Sequence, residues 1–191
     1  MDKFMKVFLI IIACVIGLGT ALLYLLHYFF FDSAKRPELD QKELVELMDD
    51  ELCEAVFFRI YDKMDDDSEN LDLVSEPEKK VYTVLEYMYE IDNGGICQYL
   101  TNTMGQRNSL LIQYLEELGA KKNAKLFQEL IDNNKIDYQM LDKIDSEEGY
   151  AKADKEYSFD KYDEEYGSIQ EEEDILAICA EYIRKHINEV S

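Results

Sequence analysis

Proline occurs twice, histidine twice and tryptophan not at all in the 191 residues, and 20 Lys plus Arg face 42 Asp plus Glu. Each shortage excludes something. With His27 inside an apolar run, a Ser-His-Asp or Cys-His arrangement would have to use His186, and no nucleophile is signalled beside it. His186 reads more simply as a surface residue that complements the dipole at a helix C-terminus. Cys53, Cys97 and Cys179 have neither metal-finger nor redox spacing; each sits in an apolar stretch and reads as a buried thiol, although an exported domain would permit one disulfide. The deficit of basic residues, net −22, excludes direct nucleic-acid binding, which needs a basic stripe to displace counterions from phosphates. Basic partners or cations are the complement.

What is present is 47% hydrophobic residues with 14 Tyr and 9 Phe, enough to build a core and too many for an acidic disordered tail. Val7 to Phe31 is a run of 25 residues without a formal charge, and about 20 suffice for a helix to cross the hydrocarbon core. It is too long for the apolar part of a signal peptide. The small residues before Cys14 do not read as a lipoprotein cleavage site, because the apolar run continues beyond that cysteine. The expected organisation is a flank at 1–6, a single transmembrane helix at 7–31, a linker at 32–39 and an acidic domain at 40–191. Lys3, Lys6 and the amino terminus on one side barely outweigh Lys35 and Arg36 on the other. That balance favours an extracytoplasmic domain by a small margin.

Four of the basic and two of the acidic residues lie at or before Pro37, so the remainder carries −24. Apolar residues there recur at helical spacing and no alternating strand pattern is found, which predicts a compact all-α, multi-helix soluble domain. Asp40 with Glu43 and Ser75 with Glu78 are capping-box pairs. The first opens a helix with Leu44, Leu47, Met48, Leu52, Val56, Ile60 and Met64 on one face, and the second opens a helix running to Asn93-Gly94-Gly95. A short helix over 96–104 follows, and Gly119 is expected in the left-handed position closing the next. The segment from Asp65 to Glu76 has oxygens at several calcium-loop positions, but Asn70 replaces the glycine and Asp72 the apolar residue, so it reads as a solvated loop.

Between Asp137 and Asp174 lie 15 acidic and 4 basic residues, with tyrosines interleaved. One reading is a solvated helical face whose tyrosines pack inward; the other is an interaction surface, with Asp160, Asp163, Glu164, Glu165, Glu171, Glu172 and Glu173 as the candidate partner-binding charges and Tyr162 and Tyr166 as candidate aromatic anchors. No catalytic residue, metal ligand or cofactor is predicted.

The run EIDNGGICQYLTNTMG from Glu90, followed by LLIQYLEELGA, resembles the DNA mimic protein 19 family of bacterial helical domains. The resemblance rests on Asn93, Gly94, Gly95, Gln98, Tyr99, Asn102, Gly105 and Gly119, which read physically as fold determinants. FDKYDEEY from Phe159 and the closing RKHINEV fit the same family. The resemblance implies an all-α domain, a homodimer, and an acidic surface that imitates DNA to occupy a DNA-binding protein. Ile96 and Cys97 depart from the family's bulkier residues there, and the added span is a second departure. The expected function is therefore a membrane-anchored, acidic, non-enzymatic module that binds a basic protein, either a DNA-binding protein or, as an immunity or inhibitor protein, a toxin. A carboxylate metal-binding protein is the weakest alternative.

The full chain is expected to stay in the membrane pellet through alkaline carbonate extraction, while a chain lacking residues 7–31 is released to the supernatant.

Overall fold

The computed structural model describes residues 39–65, 67–144 and 147–190. The chain divides into two units, Met1–Leu39 and Asp40–Ser191, and the expected transmembrane helix at 7–31 lies outside the described residues. Among the described residues no helix is long and apolar enough to cross a membrane, and no strand occurs.

The second unit is built from α1 (Gln41–Val45), α2 (Asp49–Lys63), a 3-10 turn (Leu71–Leu73), α3 (Glu76–Thr103), α4 (Asn108–Leu118), α5 (Lys121–Asn133), α6 (Tyr138–Leu141), α7 (Glu147–Tyr157), α8 (Phe159–Gln170), α9 (Ile175–Lys185) and α10 (Ile187–Val190). Helix α3 is the hub, packed against α2, α4, α6, α7, α8, α9 and α10. A helix touched from one side needs only an apolar stripe, whereas one enclosed on all sides must be covered all round. Every residue from Val81 to Met88 is buried. Around Tyr87 the rings of Tyr99, Phe127 and Tyr166 stand edge to face at centroid distances of 5.3, 5.5 and 5.8 Å. Truncating one such ring costs about 3–5 kcal/mol, against a few tenths for an exposed pair such as Lys185–Glu181. The aromatic core, not the surface ion pairs, therefore carries the stability.

The continuous first helix expected from Asp40 onward is instead broken at Glu46–Met48. Asp40 and Glu43 complete the capping box of α1, while Glu51 accepts the Met48 N–H and starts α2. Arg184 of α9 fixes the turn, donating to the Leu47 carbonyl at 2.8 Å and pairing with Asp49 at 2.5 Å. Met48, expected on the core face, is left 64% exposed. The segment read against a calcium loop turns its oxygens elsewhere: Asp72 pairs with Lys79, and Glu76 accepts the Tyr114 hydroxyl at 2.6 Å. Cys53, Cys97 and Cys179 are buried free thiols, and burial, chiefly, pushes the Cys53 thiol up to about 12. His186 caps α9, its ring stacked on Tyr182 and its Nδ1 2.9 Å from Glu189.

Helix α3 bends at Gly94 and Gly95. Gly95 has φ 76° and ψ 179°, a combination that is essentially restricted to glycine. An added Cβ there would also stand 2.6 Å from an Asp163 carboxylate oxygen. Gly119 closes α4 at φ 98° with nothing within 4 Å of a would-be Cβ. Gly95→Ala is expected to lower stability by about 2–3 kcal/mol, combining strain and contact, and Gly119→Ala by about 1 kcal/mol from conformation alone. Urea unfolding of the two variants measures the difference.

Candidate interaction surface

The bend in α3 leaves the N–H groups of a new helical turn without intrahelical partners. Asp163, reaching across from α8, accepts the Ile96 N–H at 2.8 Å. On the other flank Glu90 accepts from Gln98 Nε2 and Asn102 Nδ2, both at 2.7 Å, joining the segment before the bend to the one after it. Gly94 is required by the same arrangement, since a Cβ would fall 2.0 Å from the Gln98 side-chain oxygen. Tyr99 lies in the aromatic core, and Gly105 (φ 67°) gives way to the Tyr138 ring, whose hydroxyl accepts from Asn108. Asn93 is exposed. The motif residues thus form a bend, its two latches and its packing.

The nine residues predicted to bind a partner fall into three groups. Tyr162 and Tyr166, predicted as surface anchors, are 5% and 4% exposed. With Phe159 they occupy the i, i+3, i+7 stripe of α8 that faces α3 and α5, so helical periodicity turns them inward. Asp163 latches the bend, and Glu173 performs a similar service for α5, whose own cap residue Ala120 offers no side-chain oxygen. The Glu173 carboxylate accepts from the Lys122 N–H at 2.8 Å and the Asn123 N–H at 3.0 Å. Asp160, Glu164, Glu165, Glu171 and Glu172 are exposed. Glu172 pairs with Lys122, whose ammonium holds it below the usual carboxylate range.

Asp160, Glu164 and Glu171 lie four and seven residues apart and Glu171 keeps helical dihedrals, so they form one stripe about 16 Å long, with Glu165 beside it.

A second acidic feature was not predicted. Between α2 and α3 opens a cleft of about 720 Å³, walled by Phe57, Phe58, Tyr61 and Tyr89 and edged by Asp50 and Glu54. The sequence signal was a pair of adjacent aromatics, Phe57-Phe58, beside the core stripe Leu52, Val56, Ile60. At its floor Glu86 is paired with Arg107 and accepts from the Tyr82 hydroxyl.

An all-helical acidic domain built round a bent central helix, with exposed carboxylates and an aromatic cleft, is the class this structure defines. The chain belongs to the DMP19-like family: the family described as DMP19-like protein matches residues 72–186. No curated protein and no solved structure matches the chain.

Burial pushes the carboxyls of Glu86, Asp92 and Asp163 upward from their ordinary values, outweighing Arg107 at Glu86 and the Ile96 N–H at Asp163. A carboxyl raised in the native state binds its proton more tightly there than in the unfolded chain. Native stability therefore grows as pH falls through the folded-state value, and the gain is complete below the unfolded one. Glu78 has the opposite sign. Burial acts to raise it, but Lys63 and Ser75 hold it below the usual range. Its contribution is present above the unfolded carboxylate value and lost as pH falls through the lowered one. The melting temperature is expected to rise on acidification from neutral pH and then fall below the carboxylate range. Asp163→Asn, which keeps an oxygen for Ile96, should flatten the rise when unfolding is followed by circular dichroism.

Proposed function

We propose that this chain is a membrane-anchored, non-enzymatic binding module that captures a basic protein through its acidic helical surface. The observation that carries the reading is the exposed stripe Asp160, Glu164, Glu171 on α8, within a region of net charge −24. A stripe fixed on a helix packed against α3 and α5 presents its charges without the entropy of ordering a loop, and its field steers a basic partner on approach. Carboxylates in a row on a stiff element are also what imitation of a phosphate track requires. Family membership supports this reading. The expected span at 7–31 confines the partner to the membrane face on which the domain lies. On the cytoplasmic face the partner is a basic DNA-binding protein; on the outer face it is a basic exported protein such as a toxin. Homodimerisation would double the stripe, and it belongs to the same proposal.

The test is affinity capture with the detergent-solubilised full chain, eluted stepwise between roughly 0.1 and 1 M salt, over which the Debye length shrinks from ~10 to ~3 Å. Retained proteins are expected to be basic, to elute within that range, and to be lost from a chain carrying Asp160→Asn, Glu164→Gln, Glu165→Gln and Glu171→Gln. Partners that ignore both salt and the four substitutions would overturn the proposal.

A further inference from the structure

The cleft between α2 and α3 combines two features that the α8 stripe lacks, depth and aromatic walls. Its volume of about 720 Å³ lies in the range of small-ligand pockets. Phe57 lies parallel to Tyr82 at 4.8 Å and edge-on to Tyr89 at 5.1 Å, so the wall is a set of fixed rings rather than mobile side chains. No Lys, Arg or His is among the described residues that line it. Of its five carboxylates, three stand on α3: Glu86, committed to Arg107; Glu90, committed to Gln98 and Asn102; and Asp92, whose carboxyl burial pushes upward. Asp50 and Glu54 sit one helical turn apart on α2, exposed at the rim, and neither is held in an ion pair among the described residues.

Aromatic faces beside anionic groups attract a cation that can shed its water. A guanidinium meets both demands, because its plane stacks on a ring while its edge donates paired hydrogen bonds to carboxylates; a lysine ammonium does only the second well. We propose that this cleft seats an arginine side chain of the basic partner, stacked against Phe57, Phe58 and Tyr89 and bonded at the rim to Asp50 and Glu54. The inference rests on the proposed capture of a basic protein and adds the residue type it recognises. Helix α2 precedes the family match at 72–186, so Asp50, Glu54, Phe57 and Phe58 lie outside the matched residues, whereas Tyr89 lies within them. Glu90 and Asn102 border the cleft, so the latch that fixes the bend in α3 also fixes the pocket's far edge.

Because the chain contains no tryptophan, Phe58→Trp places a single tryptophan in the cleft, excited selectively beyond the tyrosine absorption, with Tyr61→Trp as a second reporter if the first fails to fold. The full chain in uncharged detergent micelles is titrated with a hexa-arginine peptide. A saturable change in tryptophan emission is expected, weakened about tenfold or more by Asp50→Asn with Glu54→Gln, and several-fold when hexalysine replaces hexa-arginine. Neutralising the four α8 carboxylates should weaken it less than the cleft pair does. If the peptide binds but only the α8 substitutions matter, the cleft assignment falls and capture by the acidic surface stands. If an uncharged peptide of the same length gives the same signal, the cleft is an apolar site and the assignment also falls. If hexa-arginine does not bind at all, both proposals fail together.

Discussion

The backbone reversal at Gly95 is the constraint on which the rest of the domain depends. A 28-residue helix that ran straight would carry Ile96, Tyr99 and Leu100 away from the core that Val81 to Met88 begin. The bend brings Tyr99 back against Tyr87 and Phe127, at 5.3 and 5.6 Å. It is held by two carboxylates, Asp163 on the Ile96 N–H that the bend frees and Glu90 on the amides of Gln98 and Asn102. Glycine is needed at the turn for its dihedrals and at the neighbouring position for lack of a side chain. One local conformation thereby couples α8 to α3 and fixes both acidic surfaces.

The carboxylates divide into those the fold consumes and those it leaves outside. Asp163, Glu173, Glu78 and Glu86 are engaged with backbone N–H groups, ammonium or guanidinium. Each offsets an orphan donor or a buried cation that would otherwise be costly. Asp160, Glu164, Glu165 and Glu171 are exposed to water on α8 and at its C-terminal cap, where like charges repel. A scaffold that retains such a stripe bears an electrostatic cost that complementary charge on a partner removes.

Much of the helical framework was legible locally. Capping pairs marked the starts of α1 and α3 and Gly119 marked the end of α4, because these signals depend only on neighbours within a turn. The motif around Asn93-Gly94-Gly95 was legible as structural, though not which groups it would engage. The division at Glu46–Met48 was missed, since it rests on Arg184, more than a hundred residues away. For the tyrosines of α8 the sequence left inward packing and surface anchoring both open; the positions of Tyr162 and Tyr166 relative to Phe159 turn them inward, and both are buried.

By itself the sequence determined the all-α class, the excess of negative charge, the uncharged run at 7–31 and a few helix ends, at Asp40, Ser75 and Gly119, because composition and short-range spacing suffice for each. Only the tertiary structure decided which carboxylates serve as caps and which face solvent, and that Phe57, Phe58 and Tyr89 close round a cleft. Those outcomes depend on which helices meet α3 and at what angle, and residues far apart in the chain carry no mark of one another until the packing brings them together.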